Sequence, residues 1–432
     1  TNGNHLDATT YLTVLPSTGW REGLEIQHDA WAHSSIDPDE LRRELEVIVQ
    51  EAMRKADTPS AVTIETLYEL LHDRHRMRRW RIGRPDPLRA FTSERVHEFY
   101  RNWYAPSNTI LAVVGDVDVE AVRTMVAATY GAHVPRDPMP WPGPEEPPRR
   151  EARYRALEGD VEQAHVAIGW RTVGPLHPDA PALDIAAALL SAGRASRLYR
   201  EVRERGVALA ASAFHYTPTQ LGVFALSVVA RDERVDDAVA AAWCALRRLA
   251  ADGPDADELA RVRRLLAARR LRTLESMEGQ AEELVAWEAL GGQEVGAQYH
   301  AALDAVTADD VRRVLATWCA PDAMACTSHR PTGRPPLAAD GPALVARLEA
   351  AHTAPAPIER RPRGGAATIV VPPRHEQTVD DVAVFRAAGG VPVLVRRKPG
   401  APIVHLGAFV AGGACDEVAA EAGITTLLAR AM

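Results

Sequence analysis

One phrase of helix and turn occurs twice in this chain, and it limits the fold more than anything else in the sequence. Thr92 to Leu111 reads TSERVHEFYRNWYAPSNTIL, and Thr307 to Cys326 reads TADDVRRVLATWCAPDAMAC. Thr, Val, Trp, Ala and Pro recur in register at a constant offset of 215 residues. Repetition over that distance points to a copied domain. In each copy a threonine caps a helix, an acid follows in the first turn, and apolar residues recur at helical spacing. Tryptophan closes the helix and Ala-Pro stops it. After the first copy, TILAVV has strand composition, with Gly115 and Asp116 ending the strand.

The chain of 432 residues has room for about three domains. Its net charge of −8 argues against a nucleic-acid or anionic-membrane partner. The arginine-rich run from Arg74 to Arg84 is accordingly expected to be a solvated helix end. Cys244, Cys319, Cys326 and Cys415 are scattered without C-x-x-C spacing, against a disulfide framework or a cysteine zinc site. No apolar run reaches transmembrane length. Neither end carries the marks of a natural terminus, so a longer polypeptide is expected. Its compartment stays open between cytoplasmic and periplasmic or secreted, because no targeting region is present.

A first unit, 1–150, opens with a strand at TTYLTVLP. Helices follow near Trp20 to Ser34 and over DPDELRRELEVIVQEAMRKA, where Asp37-Pro38 is helix-entry chemistry. The proline-rich run RDPMPWPGPEEPPRR closes this unit. A second unit, 151–330, runs strand, alanine-rich helix, two alternating strands, then helices into the repeated phrase. That order gives α+β layers, with a mostly antiparallel sheet and helices on one side. Residues 331–380 read as a Pro/Ala/Arg-rich linker with one short helix, PALVARLEAAH. Residues 381–432 resemble the opening of another copy: VPVLVRRKPG, then PIVHLGAFVAGG, then a helix from Glu417.

One helix carries paired acids. Glu44 and Glu51 are two turns apart and share a face within about 20°. Val47 and Ile48 flank that direction, which puts both carboxylates inside an apolar arc. Burial of either would demand a cation or metal partner. The alternative is a helix at the edge of a cleft with both acids in water. No H-E-x-x-H, H-x-x-E-H, nucleophile elbow, Walker loop or Rossmann fingerprint is present. His97-Glu98 begins such a motif but ends in Arg101, and His72 and His75 are flanked by arginines.

These residues resemble the pitrilysin/insulinase-type zinc metallopeptidases, the family with the inverted H-x-x-E-H motif. RRELEVIVQE resembles their distal metal-binding segment, and TNGNHLDATTYLTVLPS resembles the stretch before it. FYRNWYAPSNTILAVVGDVD resembles their end-of-domain phrase. SAGRASRLYREVRERG resembles a second-domain segment, and GACDEVAAEAGITTLLARAM the start of a later repeat. The resemblance implies tandem α/β-roll domains. It implies one zinc ion in the complete protein, with Glu51 as the distal ligand and Glu44 as a supporting acid. The two histidine ligands and the catalytic Glu would precede Thr1, so the chain alone is expected to be inactive. That Glu would take a proton from zinc-bound water, which attacks a peptide carbonyl. Asn2, Gly3 and Asn4 would form the edge strand that receives a peptide or unfolded polypeptide by strand addition. In the later repeat the motif register falls on Thr426, Ala429 and Arg430, which supply neither ligand nor base. Two functions follow from the resemblance, beside a third possibility of a peptide-binding protein with no hydrolysis. One is a portion of a zinc endopeptidase with a two-halved chamber, completed by the rest of the polypeptide or a homologous subunit. The other is a non-catalytic, structural or substrate-guiding subunit.

Overall fold

A computed structural model describes residues 2–4, 7–135, 145–351, 353, 355, 371–400 and 402–431. Two units emerge, 1–363 and 364–432. The larger unit begins with a short ribbon, β1 (Asn2–Asn4) against β2 (Thr9–Tyr11), paired antiparallel. Helices α1 (Trp20–Ala32), α2 (Pro38–Ala56), α3 (Pro59–Leu71), α4 (Pro85–Arg89), α5 (Ser93–Trp103) and α6 (Val119–Ala128) follow. The start of α2 is where the sequence places it. The Asp37 carboxylate accepts from the N–H groups of Asp39 and Glu40, and Pro38 occupies the first turn.

A five-stranded sheet comes next. It is built from β3 (Arg153–Gly159), β4 (Gln163–Val173), β5 (Ala210–Tyr216), β6 (Leu221–Arg231) and β7 (Ala325–Pro331). The order is β3-β7-β4-β6-β5; only β3 and β7 run parallel. Between strands lie α7 (Ala180–Ser191), α8 (Val235–Asp252), α9 (Ala256–Thr273), α10 (Met277–Leu290), α11 (Gln293–Ala305) and α12 (Ala308–Trp318). One sheet face presents Val166, Ile168, Trp170, Phe224 and Leu226 to α7, α8 and α12, and this is the main core. Trp170 stacks on Trp243 of α8 at 6.0 Å, and its indole N–H donates to the carbonyl of Ala320. The fold is therefore mixed α/β, a mostly antiparallel sheet with helices packed on it.

The other sheet face is also covered. Leu67, Leu70 and Leu71 of α3 pack on Ala167, Val223, Ala225 and Ala325. Cover on both faces explains why β4 reads as a nearly continuous apolar run. Gly169 is needed there, because a Cβ would lie 2.9 Å from Leu67 Cδ2 and 3.2 Å from the Phe224 carbonyl oxygen.

Helix α13 (Gly341–Glu349) is the short helix expected in the linker. It packs on the main core through Leu344 and Leu348, with Leu337 before it. Much of the remaining linker lies outside the described residues. The run from Arg74 to Arg84 departs from expectation. It is no solvated helix end, because Met77, Trp80 and His75 are buried and Arg76 pairs with Asp7. Its arginines screen an apolar spine that a charge count cannot see.

The smaller unit is an antiparallel sheet of β8 (Arg374–Val379), β9 (Val382–Arg386) and β10 (Pro392–Arg396), followed by α14 (Ile424–Ala431). The β8–β9 turn puts Asp380 at φ 52, a left-handed conformation that Asp tolerates. Residues 402–410 form no strand, and Val404, Leu406, Phe409 and Val410 are exposed.

Candidate functional site

Glu44 and Glu51 lie on the outer side of α2, and both are exposed. The face that α2 buries carries Val49 and Ala52, packed with Ile48 against Leu88 and Ile82. The centre of that face is rotated roughly 90° from the direction of the two acids. Val47, which the periodicity put in the apolar arc, is 56% exposed. Of the two readings of the paired acids, the one that leaves both in water is what this chain shows, and neither has an ion-pair partner among the described residues. Glu44 borders an open hollow of about 520 Å³ with Ser34, Asp37, Glu40 and Arg43.

The remaining sequence candidates are spread out. Asn2–Asn4 lies in the β1–β2 ribbon, whose outer edges have no neighbour among the described residues. Thr426, Ala429 and Arg430 lie on exposed turns of α14. His97 and Glu98 have structural partners: His97 Nε2 donates to the Ser35 carbonyl at 2.8 Å, and Glu98 pairs with Arg95. His72 is fully buried, with Nδ1–H donating to the Tyr68 carbonyl at 3.0 Å. Burial pulls its pKa down to about 4.

Zinc chemistry needs convergent donors, commonly three protein ligands with one position open. Among the described residues no group of three or more His, Cys, Asp or Glu side chains could hold a metal ion. Two exposed carboxylates do not fit zinc on their own, so no reaction step through the metal can be built from these residues.

Two polar clusters escaped the sequence because their members are far apart in it. Thr172, His215 and Asp184 form a line: Oγ1 to Nε2 at 3.0 Å, and Nδ1 to carboxylate at 2.9 Å. The order mimics a nucleophile, base and acid. Thr172 is buried and the His215 side chain is fully enclosed, so no substrate reaches it. Tyr299 also donates to Asp184, tying α11 to α7, and burial pushes its hydroxyl pKa up. The second cluster is His28 and His133, whose Nε2 atoms lie 2.8 Å apart beside Trp31 and Tyr130. Burial, then the His133 charge, lowers the His28 pKa.

With this geometry in hand, the likeness to known proteins is specific. Residues 90–266 match the family model of the peptidase M16 inactive domain. An uncharacterized zinc protease of Streptomyces coelicolor is 26% identical over 314 residues, 71% of this chain and 68% of that protein. An uncharacterized zinc protease of Mycobacterium leprae is 26% identical over 46% of each chain. The chain thus spans about two thirds of the first relative and about half of the second. A solved protease from Helicobacter pylori superposes with a TM-score of 0.69 at 21% identity, covering 73% of this chain and 78% of that one. The class is a pitrilysin-type α/β fold with a sheet and packed helices. Residues 90–266 are similar to the M16 inactive domain, and the chain as a whole is similar to zinc proteases of that type.

Proposed function

We propose that this chain is a portion of a zinc-dependent metalloendopeptidase that hydrolyses peptides inside a chamber of two halves. The M16 match over residues 90–266, taken with a Glu44/Glu51 heptad on one helix face, is what supports this reading. In it, Glu51 is the distal zinc ligand and Glu44 orients the site from the next shell. The histidines and the base come from elsewhere in the polypeptide or from a homologous subunit. Asn2–Asn4 offers its backbone to an extended peptide. Residues 1–150 are the remainder of a peptidase-like domain, and 151–330 are its non-catalytic copy. Residues 331–380 carry the link between units, although α13 within them packs on the main core and β8 already belongs to the next sheet, and 381–432 continue a degenerate repeat.

A second reading rests on the inactive-domain match and on the exposure of both acids: a non-catalytic subunit that guides substrate to an active partner. Assembly with a polypeptide carrying H-x-x-E-H separates the two. Zinc per complex and cleavage of a quenched peptide are measured for the parent, Glu51→Gln and Glu44→Gln. The first reading expects Glu51→Gln to weaken zinc binding by at least about a hundredfold and Glu44→Gln by about tenfold. Full activity in Glu51→Gln removes the ligand assignment and leaves the guiding subunit.

A further inference from the structure

The end of α3 meets the entry to the sheet in a knot of charge that peptide hydrolysis does not use. The Glu146 carboxylate accepts from three successive backbone N–H groups: Asp73 at 2.5 Å, Arg74 at 2.9 Å and His75 at 2.7 Å. Arg171 Nη1 donates to the same carboxylate at 2.9 Å. The Glu146 side chain is 3% exposed. Successive N–H groups aimed at one point make an oxyanion cradle. Here the chain fills the cradle with its own side chain. Burial alone would raise the Glu146 pKa, but the three N–H donors and Arg171 hold it below the ordinary range.

The surroundings hold more positive charge than Glu146 answers. Arg149 and Arg153 donate to the carbonyl of Leu70 in the last turn of α3, and Arg153 pairs with Asp73 at 2.6 Å. Among the described residues, three guanidinium groups therefore face two carboxylates. The helix C-terminus adds only about half a negative charge. Among the described residues, Nε and Nη2 of Arg149 are buried without an acceptor, as is Nε2 of His72. Burial pulls the Arg149 pKa down to about 10. Buried cations with unmatched donors are costly, and such a cluster favours further negative charge.

We propose that the turn Asp73–His75 and Arg171 form a binding site for small oxyanions, carboxylate or phosphate, with Glu146 as a built-in competitor. Glu146 lies just before β3, and the cradle lies just after α3. Exchange of Glu146 for a free anion therefore removes one tie between the lead-in to the sheet and the end of the helix that covers it, while Arg149 and Arg153 keep theirs to the Leu70 carbonyl. A tethered carboxylate acts at high effective concentration and masks a weak external ligand. The site should open when that carboxylate is removed.

The test is thermal unfolding of the full chain near pH 7.5, titrated with sodium acetate or sodium phosphate at ionic strength fixed by sodium chloride. Glu146→Ala should melt lower than the parent and recover saturably, at ligand concentrations at least tenfold below any that move the parent. Adding Arg171→Gln should raise the required ligand at least tenfold. The acetate and phosphate arms separate planar from tetrahedral preference. If Glu146→Ala does not fold, Glu146→Gln keeps the shape without the charge. Phosphate uptake by equilibrium dialysis should then exceed the parent's at least tenfold. Recovery by chloride as large as by acetate or phosphate overturns the proposal, because it reports screening alone. So does equal phosphate uptake by parent and Glu146→Gln, or recovery that ignores Arg171→Gln.

Discussion

Helices α5 and α12 are two printings of one phrase, and they end up in opposite surroundings. Both are capped by threonine: Thr92 accepts from the Arg95 N–H and Thr307 from the Asp310 N–H. Both run from one residue after the cap to a tryptophan, and each is followed by a short 3-10 turn that begins at its proline. Beyond that the copies part. Val314 is 0% exposed in the core, while Phe99 at the matching position is 60% exposed. Helix α5 buries no residue; α12 buries Val311, Val314 and Leu315 against α7 and α8. Ala325–Pro331 pairs with strands on both sides, but residues 109–114 have no strand beside them among the described residues. Caps, acids and proline act within one turn and reproduce faithfully. Burial and ladders depend on distant partners, and only the second copy has them.

The largest test of that difference puts a carboxylate at each matching position. Val314→Asp buries an unpaired charge and should cost about 4 kcal/mol or more, enough to unfold the sheet domain. Phe99→Asp should cost less than about 1 kcal/mol in this chain, because its site is already wet. Urea unfolding of both variants decides. An equal loss would mean that the face of α5 is covered in solution, and the contrast between the copies would collapse.

A smaller effect probes the seam where α3 lies on the sheet. His72 is held neutral there, with its folded pKa near 4 against 6.5 when free. A depressed base stabilises the fold above the unfolded value, and that support is lost as pH falls from 6.5 through about 4. The loss should be on the order of 3 kcal/mol across that window. His72→Gln should flatten the acid limb of a stability-versus-pH curve. An unchanged limb would move the acid sensitivity elsewhere.

The smallest effect concerns the caps. Thr307→Ala should destabilise by about 1 kcal/mol. Thr92→Ala should change global stability by less than about half of that, because α5 contributes little packing. Calorimetric melting of the two variants measures the ratio. Equal losses would show that α5 is coupled to the core as tightly as its copy.

The sequence disclosed what is local. Asp37, Thr92 and Thr307 announced their helices, and the alternation in LAASAFHYT and GVFALSVVA announced β5 and β6. TILAVV and PIVHLGAFV have strand composition, yet composition cannot supply a neighbouring strand. The arginines around Met77 and Trp80 hid a buried spine. The prolines around Leu337 and Leu344 hid part of the core. On α2, two apolar residues beside the acids suggested enclosure, but the helix turns a different face inward. Whether Glu51 meets a metal was legible only through family resemblance, because histidines outside these residues would have to meet it. The bonds of the Thr172–His215–Asp184 line span 43 and 31 positions and the Glu146 cradle spans up to 73, with no spacing to reveal them.

The order β3-β7-β4 has a consequence for how the domain is made. Strands β3 and β4 are separated by only Asp160, Val161 and Glu162, yet they do not pair, because β7 lies between them. A growing chain exposes both strands long before β7 exists. At ordinary synthesis speeds the stretch from Val173 to Ala325 takes roughly 10–30 s. For that interval the edge of β4 that β7 will occupy is open, and β3 is the neighbour in sequence that can take it, in a hairpin the finished sheet does not contain. Maturation of this domain must therefore either keep the two strands apart or unzip them when β7 arrives.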